Sequence, residues 1–367
     1  MLYLEEDLIS DISYFSGDDT KPQIKNEYEK IGKKIDKNIF FDEYENQILD
    51  LNTVIRVDNY LRTPYSIHMS YPSARSLYTI KLYIQKEEYL LTKDFWKNKE
   101  VIKTEPSFYE SNKLKSGDIV IELLEFKDKH YPSIFKTLQN LEVGHLLYNI
   151  AVLADIYGYE YEIDNKFLNI LVLKQKRVFY NLKKNEEIAE FWERAEHRTS
   201  GKYYGGLINF DLNHEEYRYF PNRCTKIKCI KFDKKIIESV KTIVFINDDN
   251  SFINKEYGLV LEYSYLMKEY NYINARTMSQ ITVFLCKWRK HEMRNYAELI
   301  QYMGFLAQEI CINNSITGIY NRPVKQMNLK FWNKVIKQNA EFKDFIPFYG
   351  VLTGRESVLY AKYKRVL

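Results

Sequence analysis

The chain has 367 residues, of which 45% are hydrophobic, so it is long enough for two domains or two packed halves around a large core. Its formal net charge of +4 is small and its charges are interspersed, which argues against a nucleic-acid-binding surface. The sequence shows no signal peptide and no apolar run long enough to span a bilayer, which predicts a soluble, cytoplasmic protein.

The first part of the chain is charged and contains short helical patterns. Residues 28–35 and 43–51 are predicted to be helical, and residues 1–55 are interpreted as an N-terminal helical extension. The sequence YPSA (71–74) then predicts a turn, and TIKLYI (79–84) alternates like a β-strand.

A strand followed by a buried helix occurs twice, about 160 residues apart. Residues 119–126 and 281–288 are rich in β-branched and aromatic residues, as strands are. Residues 141–159 and 300–319 are apolar almost all round at helical spacing, which indicates buried helices. Gly144 aligns with Gly304 and Gly158 with Gly318, and a glycine just past a helix is a normal stop. This predicts a duplication with halves at 56–190 and 191–367.

Polar residues of possible chemical interest are few. Arg198, Ser200 and Lys202 lie on alternate positions, and an arginine, a hydroxyl and an ammonium on one side of a segment suit a phosphate. The chain ends in a basic tail with Lys364 and Arg365. The four cysteines are scattered and Cys224 and Cys229 lack neighbouring histidines, so neither a disulfide framework nor a metal site is predicted.

Three motifs together resemble the nitroreductase superfamily of FMN enzymes, and in particular its azoline dehydrogenase branch. YPSARSLYTIKLYI (71–84) is similar to the family's proline-serine segment, and 141–169 is similar to its glycine-histidine segment, with Gly144, His145, Asn149 and Gly158 matching. HRTSGKYY (197–204) matches the family's R-x-S-x-K start. The resemblance implies an α+β nitroreductase-like fold of two fused half-repeats (a pseudo-dimer), each an antiparallel-rich sheet flanked by helices.

The resemblance also implies an FMN cofactor bound between the halves. Arg198, Ser200 and Lys202 would hold its phosphate, with Lys364 or Arg365 as further cations. Pro72, Ser73, Ala74 and Arg75 would line the flavin ring from the opposite half, and Glu160 and Tyr161 would close the ring pocket. The first half has KIDK (34–37) where R-x-S-x-K is expected, and the second has no proline-serine equivalent between 225 and 275. These complementary losses predict one complete FMN site per chain and one vestigial site.

Azoline dehydrogenases oxidise thiazolines and oxazolines in ribosomally made peptides of the bacteriocin or thiopeptide type, and carry a lysine-tyrosine pair. At the matching spacing this chain has His130 and Tyr131, with Lys129 one position earlier, and these are the predicted catalytic residues. A histidine can serve as a base near neutral pH. His145 is instead expected to bond to backbone at a helix start. The resemblance implies a precursor-peptide substrate and a complex with a cyclodehydratase.

Two alternatives stay open at this point. One is a nitroreductase-like enzyme that uses NAD(P)H to reduce small electrophiles or dehydroamino acids. The other is a non-catalytic scaffold within a peptide-modifying complex, which the departure from the lysine-tyrosine pair would suit. The intact R-x-S-x-K favours a flavoprotein over the scaffold.

Overall fold

A computed structural model describes residues 33–34, 41–58, 67–74, 77–87, 89–93, 101–104, 114–124, 134–164, 170–178, 185–200, 229–270, 275–287, 296–315, 319–325, 327–355 and 362–364. The helices are α1 (Glu43–Asp50), α2 (Phe135–Tyr157), α3 (Asn185–His197), α4 (Lys234–Glu238), α5 (Tyr263–Glu269), α6 (Tyr296–Asn313) and α7 (Leu329–Ile336). None of these described helices is both long enough and apolar enough to cross a bilayer.

β1 (Lys33–Lys34) precedes the first half, whose strands are β2 (Arg56–Asp58), β3 (Ile67–His68), β4 (Ile80–Lys86), β5 (Tyr89–Lys93), β6 (Val101–Thr104), β7 (Ile119–Leu123), β8 (Tyr159–Asp164) and β9 (Ile170–Val178). Those of the second half are β10 (Ile230–Lys231), β11 (Val240–Asp248), β12 (Ser251–Asn254), β13 (Leu259–Glu262), β14 (Met278–Cys286), β15 (Ile319–Val324), β16 (Ile346–Arg355) and β17 (Lys362–Lys364).

The two halves repeat one topology. Six strands of the first half lie in the order β6-β5-β4-β7-β9-β8, and six of the second lie in the order β13-β12-β11-β14-β16-β15. In each half a three-stranded meander is followed by a central strand, the long helix and two further strands, all paired antiparallel. The predicted α+β architecture of two half-repeats is therefore confirmed.

Additional strands join elements that are distant in sequence. At the edges of the first sheet β1 pairs antiparallel with β6, and β10 of the second half pairs parallel with β8. The helical prediction for 28–35 is wrong at Lys33 and Lys34, because these residues form β1. A separate three-stranded sheet joins β17, near the C-terminus, to β2 and β3 of the first half.

Local sequence signals set the ends of the predicted helices. α1 starts with a capping box, in which Glu45 N–H donates to Asp42 Oδ1 (2.7 Å) and Asp42 N–H donates to Glu45 Oε2 (2.9 Å). α2 ends at Gly158, whose φ of 77° lies in the left-handed region that a glycine tolerates. Residues 44–55 pack into the first core, and the domain limits of 1–55, 56–190 and 191–367 stay a prediction.

The halves are joined where α2 crosses α6. Gly144 and Gly304 face each other, and a Cβ built on Gly144 would lie 2.0 Å from the carbonyl oxygen of Gln301 and 2.9 Å from Gly304 Cα. The helices therefore touch backbone to backbone, which only glycine permits. Phe305 and Ile312 of α6 lie within the hydrophobic core of the first half, so the two cores interlock.

Substitution of Gly144 by alanine tests this crossing. The added methyl has no space without separating the helices, so we expect the free energy of unfolding to fall by more than about 3 kcal/mol. Gly258→Ala is the control, because its added Cβ would meet nothing within 4 Å although its φ is +66°. We expect that control to lose about 1 kcal/mol from backbone strain alone. Chemical denaturation compares the variants, and equal losses would contradict the close crossing.

Candidate functional site

Buried polar side chains bond to one another beside the helix crossing. His145 Nδ1 lies 3.2 Å from Gln308 Oε1, and its Nε2 lies 3.0 Å from the hydroxyl of Tyr349. Gln308 Nε2 donates to Asn149 Oδ1 and to the Ser70 carbonyl, at 3.0 Å each. Asn149 Nδ2 donates to the same carbonyl and to Ser70 Oγ, also at 3.0 Å. Side chains from both halves therefore fix the main chain at Ser70.

His145 is held neutral in this network. Burial, and to a smaller extent the positive charge of Arg198, lower its pKa to about 3. Gln308 presents its carbonyl oxygen to Nδ1, so Nδ1 carries the proton and Nε2 accepts from Tyr349. The expected helix-start bond to backbone is wrong, because His145 lies within α2 and both ring nitrogens bond to side chains. A neutral, enclosed histidine of this kind is structural.

The R-x-S segment, here Arg198, Thr199 and Ser200, lies between the two halves. Arg198 is buried, and its Nη2 donates to the Met69 carbonyl at 3.1 Å. The Thr199 carbonyl accepts from the N–H of Asn321 at 2.8 Å, and the Ser200 carbonyl accepts from Arg322 Nε at 2.7 Å. The segment is therefore held by the first half on one side and by β15 on the other.

The basic tail approaches the same segment through Arg56. In the small sheet Lys364 of β17 is opposite Arg56 of β2. Arg56 Nη1 donates to the carbonyl of Arg198 at 2.8 Å and also to that of Glu196. Through Arg56, the backbone of Lys364 is therefore linked to the R-x-S segment, and a shared role in binding a phosphate stays a prediction.

The P-S segment, here Pro72, Ser73 and Ala74, follows Met69 and Ser70 and is anchored to α2 through Glu142. The N–H of Tyr78 donates to Ser73 Oγ at 2.8 Å, and Ser73 also hydrogen-bonds to Glu142. Glu142 accepts from Thr79 N–H at 2.9 Å and bonds to the Thr79 hydroxyl at 3.0 Å.

The electrostatics of Glu142 follow from its burial. Burial raises the pKa of this carboxyl to about 8, outweighing the hydrogen bonds from Thr79 and Ser73 that lower it. Near pH 7 the protonated form therefore predominates, and a carboxylic acid stands one hydrogen bond from the P-S segment.

Glu160 and Tyr161 bond to residues at the start of β10. Glu160 forms an ion pair with Lys231 at 2.5 Å, and the N–H of Tyr161 donates to the Cys229 carbonyl at 2.7 Å. Each long helix is followed by its own strand, and β15, after α6, is the strand that bonds to the R-x-S segment. The role of Glu160 and Tyr161 at the ring pocket stays a prediction.

The predicted first-half counterpart of the R-x-S segment, KIDK (34–37), is described only at Lys34, which lies on β1 at the edge of the first sheet. The other predicted site residues lie outside the described part of the chain: Lys129, His130, Tyr131, Arg75, Lys202 and Arg365.

Four residues of this region were missed by the sequence reasoning: Arg56, Glu142, Asn321 and Arg322. Asn321 and Arg322 could have been predicted, because the glycine alignment that defines the repeat pairs them with Tyr161 and Glu162. Arg56 and Glu142 carried no such signal, since their roles depend on contacts far along the chain.

Comparison with known proteins identifies the fold. No protein-family model matches the chain, and no curated protein matches its sequence. A protein of Anabaena variabilis described as a "putative nitroreductase" is similar in structure, with a TM-score of 0.70 and 13% identity over 97% of this chain and 99% of that one. A nitroreductase family protein of Clostridium difficile matches with a TM-score of 0.24 and 11% identity over 46% and 84% of the two chains. The first similarity shows that this chain has the nitroreductase-like fold.

Glu142→Gln tests the protonated state of this carboxyl. At a pH above the pKa of the unfolded chain, a carboxyl whose pKa is raised in the folded state takes up a proton on folding. The free energy of unfolding is therefore highest below about pH 4.5 and falls as the pH rises towards 8. The slope is at most about 1.4 kcal/mol per pH unit. Between pH 5 and 8 we expect Glu142→Gln to lose this pH dependence of the free energy of unfolding, while the exposed Glu193→Gln variant keeps it. Parallel curves for Glu142→Gln and wild type would contradict the assignment.

Proposed function

We propose that this chain, with its nitroreductase-like fold, is a flavin-dependent oxidoreductase that binds one FMN between its two halves. One observation supports the proposal most directly: four elements from both halves meet at one place. They are the R-x-S segment, β15, the strand bearing Lys364 and the chain preceding the P-S segment. The pseudo-symmetric position has Glu160, Tyr161 and Lys231 instead, which supports a single site.

The residues at the convergence fit a phosphate-bearing cofactor. Arg198, Ser200, Arg322 and Lys364 would supply cations and a hydroxyl, and guanidinium groups suit phosphate oxygens. Asn321 is fully buried, and among the described residues its Nδ2 has no hydrogen-bond partner. A buried donor of this kind beside the R-x-S segment is expected where a polar ligand or a water molecule completes the bonding.

The chain's own residues would have three tasks. Arg198, Ser200 and Lys202, with Lys364 or Arg365, would hold the phosphate, and the P-S segment with Arg75 would orient the ring. FMN, when bound, supplies hydride acceptance or donation. The enclosing halves would exclude water, and protons would be moved by side chains at the edge of the site.

At the finer level we propose azoline dehydrogenation in a ribosomally made peptide. Conversion of an azoline to an azole removes a proton from the Cα and a hydride from the ring, so the protein must supply a base. Tyr131 and His130, with Lys129, are the proposed source of that base. The support is the resemblance of 71–84, 141–169 and 197–204 to that branch, and the proposed partners are a precursor peptide and a cyclodehydratase.

Glu142 favours a second candidate, reduction of a small electrophile or a dehydroamino acid with NAD(P)H. Reduction requires a proton for the product as well as a hydride. Glu142, protonated near neutral pH and bonded to Ser73, is a suitable reservoir for that proton. A base for azoline oxidation would have to come from other residues.

Flavin content is the direct test of the proposed function. We expect about one FMN per chain after reconstitution, from the visible spectrum and from flavin released on denaturation. Arg198→Ala should lose most of it, since a charge-assisted contact to phosphate disappears. The exposed Arg177→Ala is the control and should keep the wild-type content. Two equivalent FMN molecules per chain would overturn the single site, and no flavin at all would favour the scaffold.

Turnover separates the two chemistries. With a thiazoline-containing peptide and an electron acceptor, we expect the loss of two hydrogens per ring by mass spectrometry, and we expect Tyr131→Phe to abolish it. NAD(P)H oxidation that depends on a nitroaromatic or dehydroamino acid, weakened by Glu142→Gln and unaffected by Tyr131→Phe, would instead establish the reductase.

A further inference from the structure

We infer that Arg56 is a positioning residue for phosphate binding: its side chain crosses from the first half and holds the main chain of the R-x-S segment in the conformation that binds the cofactor phosphate. The inference rests on the proposed function and adds to it a residue outside the three motifs. Arg56 would act through Arg198 and Ser200.

Arg56 contacts main-chain carbonyl groups at the start of the R-x-S segment. Its side chain is only 3% exposed, and Nη1 donates to the carbonyls of Glu196 and Arg198, the second at 2.8 Å. These carbonyls belong to the end of α3, where helices leave carbonyl groups without intrahelical partners and a cation is favourable. The guanidinium thus fixes the backbone conformation at the end of α3. That conformation in turn sets the position of Ser200.

The main chain of Arg56 reaches the other source of positive charge. It is opposite Lys364 in the pairing of β2 with β17, and opposite His68 in the pairing of β2 with β3. The side chain therefore holds the R-x-S segment while the backbone holds the basic tail. A shift of this one residue would move two parts of the proposed phosphate site together.

The test compares two ligands that differ only in the phosphate, FMN and riboflavin, titrated into full-length apoprotein by flavin fluorescence. For Arg56→Gln we expect FMN affinity to fall about tenfold to a hundredfold, the range for loss of contacts to charged groups, with riboflavin affinity unchanged. Arg56→Lys keeps the charge but lacks the guanidinium fork, and we expect an intermediate loss for FMN alone.

Arg194→Gln is the matched control. Arg194 Nη1 also donates to a helix-end carbonyl, that of Asn313 at 2.8 Å, but it bonds to α6 and not to the R-x-S segment. We expect this control to keep the wild-type ratio of FMN to riboflavin affinity. Equal losses for both ligands in Arg56→Gln and Arg56→Lys, or no loss in either, would overturn the positioning role. Wild-type protein that binds neither flavin would instead refute the proposed function itself.

Discussion

The structure depends on the contact between Gly144 and Gly304. Two long helices that touch through their backbones have almost no freedom to slide, because a shift along either axis would bring a side chain into the space that the glycines leave open. The crossing fixes the relative position of two sheets that share the same strand order. Every polar contact between the halves described above, from His145 to Arg56, presupposes that position.

The two sides of this crossing have diverged. On one side the strand after α6 bonds to an arginine- and serine-bearing segment. On the other side the strand after α2 lies among aromatic rings, with Tyr44 stacked on Tyr159 at 3.9 Å between ring centroids. Burial raises the pKa of Tyr44 and of Tyr161, so these phenols stay neutral and serve packing. The strand that follows the long helix therefore has polar neighbours in the second half and aromatic neighbours in the first half.

Much of the fold was predictable because its signals are local. Apolar periodicity and Gly158 located the long helix, and β-branched residues located β7 and β14. The start of α2 was missed, since Thr137 and Gln139 are polar and yet buried. Gln139 is satisfied by the carbonyls of Thr79 and Leu124, partners that lie far from it in sequence.

The candidate site was predictable only in part, for the same reason. Arg198, Ser200 and Lys364 could be proposed because their motif is contiguous or terminal. Glu160 and Tyr161 were proposed from their distance from Gly158, and that distance does not say which elements a strand contacts. Burial of a charged residue such as Arg56 or Glu142 is likewise a property of the assembled halves and not of a sequence window.

The buried amides show how the assembled halves depend on each other. In the repeat register Gln308 aligns with Tyr148, and Asn149 aligns with Glu309, so each half contributes one of the two amides. Both amides donate to the single carbonyl of Ser70, and they bond to each other. Loss of either amide would leave the other partly unsatisfied in the interior, at a cost of about 1–3 kcal/mol. Because Ser70 leads into the P-S segment, the geometry of one wall of the candidate site depends on a network that neither half can complete alone.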